Sequence, residues 1–433
     1  MNKRSLGLVS VAMVLILVAS ALPGCSPAGE PGGAVKAEVL QSDKPRLAAA
    51  SLEEARVPEL VAGNNQFAID LYHVLFDKRG NLFYSPYSIS LALAMTYAGA
   101  RGETQQQMAD VLRFTLPQEL LHPAFNALDQ ALASRGETLK EEQRFRLNIA
   151  NAIWGQQDFD FLAAFLDTLA QNYGAGLRVL DFVKAPDDAR QTINQWVEEE
   201  TEDKIKDLLP AGSISSDTRL VLSNAIYFNA AWKYPFEESI TQDGPFHLLD
   251  GSEVTVPMMR ESERLGYAQG AGLQAVELPY VGGELSMVIL LPAAGRFEEF
   301  VEGLDGRQLE AVLADMSRIE VQLTMPRFEY ESGFRLKDAL RRLGMTDAFG
   351  GEADFSGMTG GLDLFISDVY HKAFVAVDEE GTEAAAATAV VMDLTAAPGT
   401  PVEVKVDRPF VFLIRDIESG AILFLGHVVN PAA

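Results

Sequence analysis

Between Ala384 and Met392 the chain has no charge, no proline and almost only small side chains, and strand-like sequence bounds this stretch on both sides. Taken by itself, the segment from Asp378 to Met392 reads as a helix. Thr382 suits an N-cap, Glu383 suits a first turn, and four alanines follow. Its flanks point elsewhere. Phe365-Ile366-Ser367 and Ala373-Phe374-Val375-Ala376-Val377 precede it, and Val402-Glu403-Val404-Lys405-Val406 and Pro409-Phe410-Val411-Phe412-Leu413-Ile414 follow, all with the β-branched and aromatic content of strands. A run of this kind can donate to ladders on both sides and buries no charge, so it also suits the middle of a sheet, with Gly381 as its hinge. Leu394 to Pro401 has the composition of an exposed loop. Composition alone favours an alanine-rich surface helix followed by a linker.

The remaining sequence sets the frame. A chain of 433 residues can bury a large core, and its net charge of -26, with no basic stripe to neutralise phosphates, argues against nucleic acid as a partner. Lys3 and Arg4, the apolar run Leu6 to Ala21, and Leu22-Pro23-Gly24-Cys25 form a targeting signal over residues 1–24. It resembles the bacterial lipoprotein signal, in which Cys25 would be lipidated and tether the protein to the outer face of a membrane, although Pro23 departs from the usual small residue. The expected location is extracellular or cell-surface. Cys25 is the only cysteine, so internal disulfides are excluded. Residues 25–56, rich in Pro, Gly, Ala and Glu, read as a flexible tether, and the folded domain is expected over 57–433.

Within that domain helices come early. The spacing predicts helices over Leu60–Phe76, from Ser85-Pro86 to Met95, over Glu103–Leu112, Glu119–Leu132 and Gln191–Leu209, and near Gly333–Leu343. Strands dominate later, with Leu220–Phe228 and Leu285–Leu291 as buried runs and Leu147–Trp154 as an alternating one. The pattern is α+β: helices packed on a large central, mostly antiparallel sheet, with further smaller sheets.

Signatures of catalysis are missing from the sequence. It contains no Gly-x-Ser-x-Gly elbow, His-Glu-x-x-His helix or phosphate-binding Gly-Lys-Ser/Thr loop. Gly270-Ala271-Gly272-Leu273-Gln274-Ala275 runs into a strand, where a dinucleotide fingerprint must open a helix. The five histidines stand singly, without metal-ligand neighbours, and His371 reads as a hydrogen-bonded core residue. Neither metal nor cofactor is expected, and the chain does not read as an enzyme.

Five separated motifs carry a resemblance. Glu379-Glu380-Gly381-Thr382-Glu383-Ala384-Ala385-Ala386-Ala387 resembles the reactive-loop hinge of the serpins, within a reactive loop over 379–401. Asp407-Arg408-Pro409-Phe410-Val411-Phe412 with Phe424 to Pro431 resembles that family's C-terminal signature. Asn81 to Met95, Asn194-Gln195-Trp196-Val197 with Lys204 to Leu209, and Ser223 to Phe228 with Trp232 match in the family's order. The resemblance implies a serpin fold, metastable and monomeric, in place of the surface helix. It also implies a suicide inhibitor whose exposed loop is cleaved, traps the protease as an acyl-enzyme and inserts into the sheet. A serpin-fold surface protein that binds without inhibiting is the alternative. By the same resemblance, Ser85, Ser88, Asn224 and His371 form the polar cluster beneath the parting strands. Trp232 marks the point where the loop enters, and Arg327 pairs with Glu379. Family spacing from Glu379 puts the cleaved bond at Thr395-Ala396, with Leu394-Thr395 as the alternative; counting back from Pro409 gives a site near Pro398, a poor target. A small residue there suits elastase-like serine proteases, Leu394 suits chymotrypsin- or subtilisin-like ones, and a cysteine protease is also admitted.

Overall fold

A computed structural model describes residues 36–137, 139, 145–382 and 401–433. Among them, in chain order, the strands are β1 (Glu38–Leu40), β2 (Leu82–Tyr84), β3 (Arg146–Gln156), β4 (Leu177–Leu180), β5 (Leu220–Ala231), β6 (Gln242–His247), β7 (Glu253–Gly270), β8 (Leu273–Pro279), β9 (Leu285–Pro292), β10 (Ser317–Pro326), β11 (Phe328–Arg335), β12 (Ile366–Val377), β13 (Gly381–Thr382), β14 (Val402–Lys405), β15 (Phe410–Asp416) and β16 (Ile422–Val428). The first six helices are α1 (Val57–Leu75), α2 (Pro86–Tyr97), α3 (Gly102–Leu112), α4 (Gln118–Ser134), α5 (Ala163–Tyr173) and α6 (Pro186–Glu200).

Two sheets organise the molecule. The first has seven strands in the order β1-β4-β3-β5-β13-β12-β11, mostly antiparallel, with β5 and β12 also paired directly in parallel. The second runs β14-β10-β7-β8-β9-β15-β16-β2, with β6 on β7, so it is one nine-stranded path rather than several smaller sheets. The main core lies between the sheets and includes α1, α2 and α4. Helix α2 is buried on every side, as its all-round apolar sequence predicts, and Ser85 Oγ caps it by accepting from Ser88 N–H. A second core lies on the other face of the first sheet. There Ala150, Ala152, Trp154, Val221 and Ala225 meet Ile193 and Val197 of α6.

Three boundaries depart from expectation. The tether expected over 25–56 is folded in its described part: β1 pairs with β4, Leu47 N–H donates to the Gln171 carbonyl (2.8 Å), and Arg46 reaches Asn126 (2.8 Å) and Asp129 (2.6 Å). Those anchors are mostly polar and distant in sequence, so they leave no apolar period to read. The helix expected over Gln191–Leu209 ends at Glu200, because Glu202, Asp203 and Asp207 take left-handed φ of 52°, 62° and 49°. Ile205, Leu208 and Leu209 are still buried, held by Asn194, whose side chain bonds both N–H and C=O of Leu209. Gly333 to Arg335 belongs to β11, and the helix expected there spans Lys337–Leu343.

Candidate functional site

The first sheet is split at one end. From Ile366/Leu220 to Phe374/Tyr227, β12 and β5 are directly paired; beyond that, β13 comes between them. Thr382 pairs with Val377 on one side and Ala230 on the other, and Gly381 pairs with Ala231. Two residues of the alanine-run segment are therefore already strand. Thr382 is 1% exposed, with its Oγ1 2.8 Å from the Tyr280 hydroxyl. Tyr280 stacks on Trp232, ring centroids 4.6 Å apart. Trp232 in turn donates from Nε1 to the Asp378 carbonyl (3.0 Å) and from its backbone N–H to the Glu380 carbonyl (2.9 Å). Asp378 Oδ1 accepts from the backbone N–H groups of Glu380 (2.9 Å) and Gly381 (3.1 Å), which shapes the turn out of β12.

Glu379 anchors the base of that turn. It is 2% exposed, ion-paired with Arg327, and accepts from Thr241 Oγ1 at 2.5 Å. Burial pushes its carboxyl pKa up, but the hydrogen bonds from Arg327 and Thr241 outweigh burial and hold it below its ordinary value. Its charge is thus kept at neutral pH.

Lower in the slot, His371 on β12 and Asn224 on β5 are direct register partners, both fully buried. His371 Nε2 accepts from Ser85 N–H (3.2 Å), so the Nδ1 proton donates to Asn224 Oδ1. Asn224 Nδ2 donates to Ser88 Oγ (2.8 Å) and Asn151 Oδ1 (2.5 Å), and Ser85 Oγ donates to the Leu423 carbonyl (2.6 Å). Burial pushes the His371 pKa down to about 3, so the ring is neutral. The strands cannot part without breaking this link.

The structure thus groups Ser85, Ser88, Asn224 and His371 in one cluster, and Trp232, Arg327, Glu379, Glu380, Gly381 and Thr382 in another. Cys25, Glu383, Ala384 to Ala387, Leu394, Thr395 and Ala396 lie outside the described residues. Sequence reasoning missed Asn151, Thr241 and Tyr280. Asn151 alternates inward on a predicted strand, a signal that was available; Thr241, just before β6, and Tyr280, just after β8, gave none. Among the described residues no group of three acidic, His or Cys side chains is placed to hold a metal. The Gly270-Ala271-Gly272 segment is the turn between β7 and β8, with Ala271 and Gly272 at φ 50° and 79°.

Comparisons with known proteins agree with this geometry. The Serpin (serine protease inhibitor) family model matches residues 62–431. The leukocyte elastase inhibitor of Bos taurus is 41% identical over 387 residues, covering 86% of this chain and 100% of that protein. An uncharacterised serpin-like protein of Thermococcus kodakarensis is 39% identical, covering 88% of each. The crystal structure of a thermophilic serpin, tengpin, in the native state superposes with a TM-score of 0.80 at 30% identity, covering 92% of this chain and all of that one.

Proposed function

Because the chain belongs to the serpin family, which the match over 62–431 and the relative at 41% identity show, we propose that it inhibits serine proteases through its reactive loop, by covalent trapping and insertion. The observation that carries the reading is the split sheet, with Thr382 already seated between β5 and β12.

Continuing the antiparallel register of β13 against β5 defines what insertion would bury. Gly381 is level with Ala231 and Thr382 with Ala230, so Met392 comes level with Leu220 at the far end of β5. Ala384, Ala386, Thr388, Val390 and Met392 then share the face of Thr382, which looks into the main core, while Ala385, Ala387, Ala389 and Val391 look toward α6. All are uncharged. On that register an inserted Thr388 would come level with Asn224, in the cluster of Ser85, Ser88, Asn224 and His371. On the same register an inserted Glu383 would come level with Asn229, near the open end.

In the proposed sequence, a protease serine attacks the carbonyl carbon of Thr395, or of Leu394 in the alternative, and the peptide C–N bond breaks as the amine leaves. Insertion from Gly381 onward then carries the acyl-enzyme along the sheet before water can release it. The name of the bovine relative makes elastase-like proteases the first targets to try. We further propose secretion and anchoring through lipid on Cys25.

The test is to incubate the protein with elastase, chymotrypsin, subtilisin and trypsin, run denaturing gels and sequence the released C-terminal peptide. A denaturant-stable band at the summed mass, with a peptide starting at Ala396 or Thr395, is the expected result. Cleavage by all without an adduct, and without a rise in the melting temperature of the cleaved product, would overturn it in favour of a serpin-fold binding protein.

A further inference from the structure

The second core, on the α6 face of the first sheet, holds a cation that the fold leaves unanswered. Arg178 of β4 is the register partner of Trp154 on β3 and of Val39 on β1, so the three side chains form one row on one face. Trp154 belongs to the core under α6, and Ala37, two residues before Val39, packs against the same core, which makes this the α6 face. The Arg178 guanidinium carbon lies 5.5 Å from the centroid of the Trp154 ring and 4.5 Å from that of Trp196 on α6. The two indoles meet edge to face, with centroids 5.3 Å apart. Both contacts to Arg178 are cation–π, and neither supplies an oxygen acceptor for its five guanidinium N–H groups.

Other arginines at similar depth are answered. Arg135 is paired with Asp416, Arg415 with Glu277, and Arg219 donates to the carbonyls of Ser216 and Thr218. Among the described residues, Arg178 is the one half-buried arginine that donates to neither a carboxylate nor a carbonyl. Its nitrogens remain open to water, whereas Nε1 of Trp196 beside it is sealed from water and has no acceptor. Burial pulls the Arg178 pKa down, and Glu200 at the end of α6 is the charge that pulls it back, without coming within ion-pair distance.

A guanidinium presents a planar fork that matches a carboxylate with two parallel hydrogen bonds. Here two indoles already hold it, so little side-chain freedom is left to lose when a ligand arrives. In a chain with 61 acidic residues, an ordered cation that meets none of them is matched to an anion from outside. The apolar half of the site is next to it. Val39 stands beside Arg178 in the row, is 44% exposed, and lies on β1, the edge strand of the sheet. A chain leaving Arg178 in that direction crosses one strand spacing, about 4.8 Å, of apolar surface before it reaches the edge.

We propose that Arg178, held by Trp154 and Trp196, is the head-group site for a monocarboxylate with an apolar chain, its carboxylate accepting from the guanidinium and its chain lying over Val39 toward the edge of the sheet. The single charge of Arg178 matches one carboxylate, and Glu200 disfavours a second. Trp154 is level with Val221, at the end of β5 away from Ala230, where Thr382 is seated. The site is therefore apart from the hinge, and its occupancy is measured in protein that no protease has touched, whatever becomes of the inhibitory reading.

The probe is decanoate, with decanamide as its uncharged counterpart, titrated into the full chain and followed by calorimetry and indole fluorescence. The expected result is saturable binding of decanoate, at least tenfold tighter than decanamide, with a change in the indole emission. Arg178→Gln should lose at least tenfold in affinity for decanoate and leave the weak binding of decanamide as it was. Val39→Asp puts a like charge beside the head group at an exposed position, and should weaken decanoate roughly threefold or more with the melting temperature unchanged. Equal affinity for decanoate and decanamide overturns the inference, as does undiminished decanoate binding by a folded Arg178→Gln protein. If Arg178→Gln does not fold, Val39→Asp decides, and an unchanged affinity there overturns it. No saturable binding below the concentration at which decanoate self-associates overturns it as well.

Discussion

Replacing Thr382 by arginine tests the inhibitory reading at its hinge. Thr382 is 1% exposed, flanked by Val377 and Ala230 in the ladder, with Tyr280 against its hydroxyl. Glu379, the buried carboxylate of that turn, already has Arg327 and Thr241 as partners. Burying that charge unpaired costs several kcal/mol; 4 kcal/mol is about the least to expect after relaxation. The arginine therefore stays outside, and insertion must start by carrying it in. A barrier raised by about 4 kcal/mol slows insertion roughly a thousandfold. Release of the acyl-enzyme by water is not slowed, so the protease escapes and the protein becomes a substrate. The assay is a titration of stoichiometry against the best target, with adduct yield on denaturing gels: Thr382→Arg should fall below a tenth of the wild-type yield while the loop is still cut at the same bond. Thr382→Val, which loses only the Tyr280 hydrogen bond at about 1 kcal/mol, should keep most of the adduct. A stoichiometric adduct from a correctly folded Thr382→Arg would refute the reasoning.

Three further outcomes follow from the same contacts. Burial holds His122 and His427 at about 4 and His371 at about 3, against about 6.5 when unfolded, so below pH 6.5 the unfolded chain takes up protons that the native one refuses. Their effect is nil above pH 6.5 and costs roughly 2 kcal/mol each at pH 5; a urea midpoint that falls from pH 7.5 to 5, and falls less in a His371→Gln protein, is the expected result. Glu261 acts in the opposite sense: burial, then the nearby Glu263, raise its carboxyl to about 8, and its Oε2 has no partner. Native protein keeps a proton there that unfolded chain loses above pH 4.5, so Glu261→Gln should stabilise by a few kcal/mol at pH 8 and hardly at all near pH 4.5, read from denaturant midpoints. Arg46→Ala removes two charge-assisted contacts to α4 and should lower stability by about 1–2 kcal/mol; no change would mean that the segment before α1 is not part of the cooperative fold.

The late strands and the early helices were legible because each carries its own period. Helix α2 announces itself through Ser85-Pro86, and β5 and β9 through unbroken apolar runs. The end of α6 was not legible, because Ile205, Leu208 and Leu209 keep a helical spacing that the left-handed residues at 202, 203 and 207 interrupt. In the site, Ser85, Ser88, Asn224, His371, Trp232 and Arg327 were named from motif resemblance, while Asn151, Thr241 and Tyr280 were visible only once strands distant in the chain were side by side.

What the sequence determined by itself is what each segment can tolerate: an uncharged, proline-free run able to be helix or central strand, an acidic exterior, a family pattern in five places. What only the tertiary structure decided is which option is taken and where it leads. Locally Thr382 satisfies a helix N-cap as well as it satisfies a strand, and it becomes strand because Val377 and Ala230 present unpaired ladder edges on either side of it and Tyr280 closes over its hydroxyl. The segment before α1 likewise has too few apolar residues to fold alone, and it is ordered by β4, α4 and α5, none of them a neighbour in sequence. Backbone groups are paired wherever the assembled fold puts a partner, and that placement cannot be read from the residues one segment at a time.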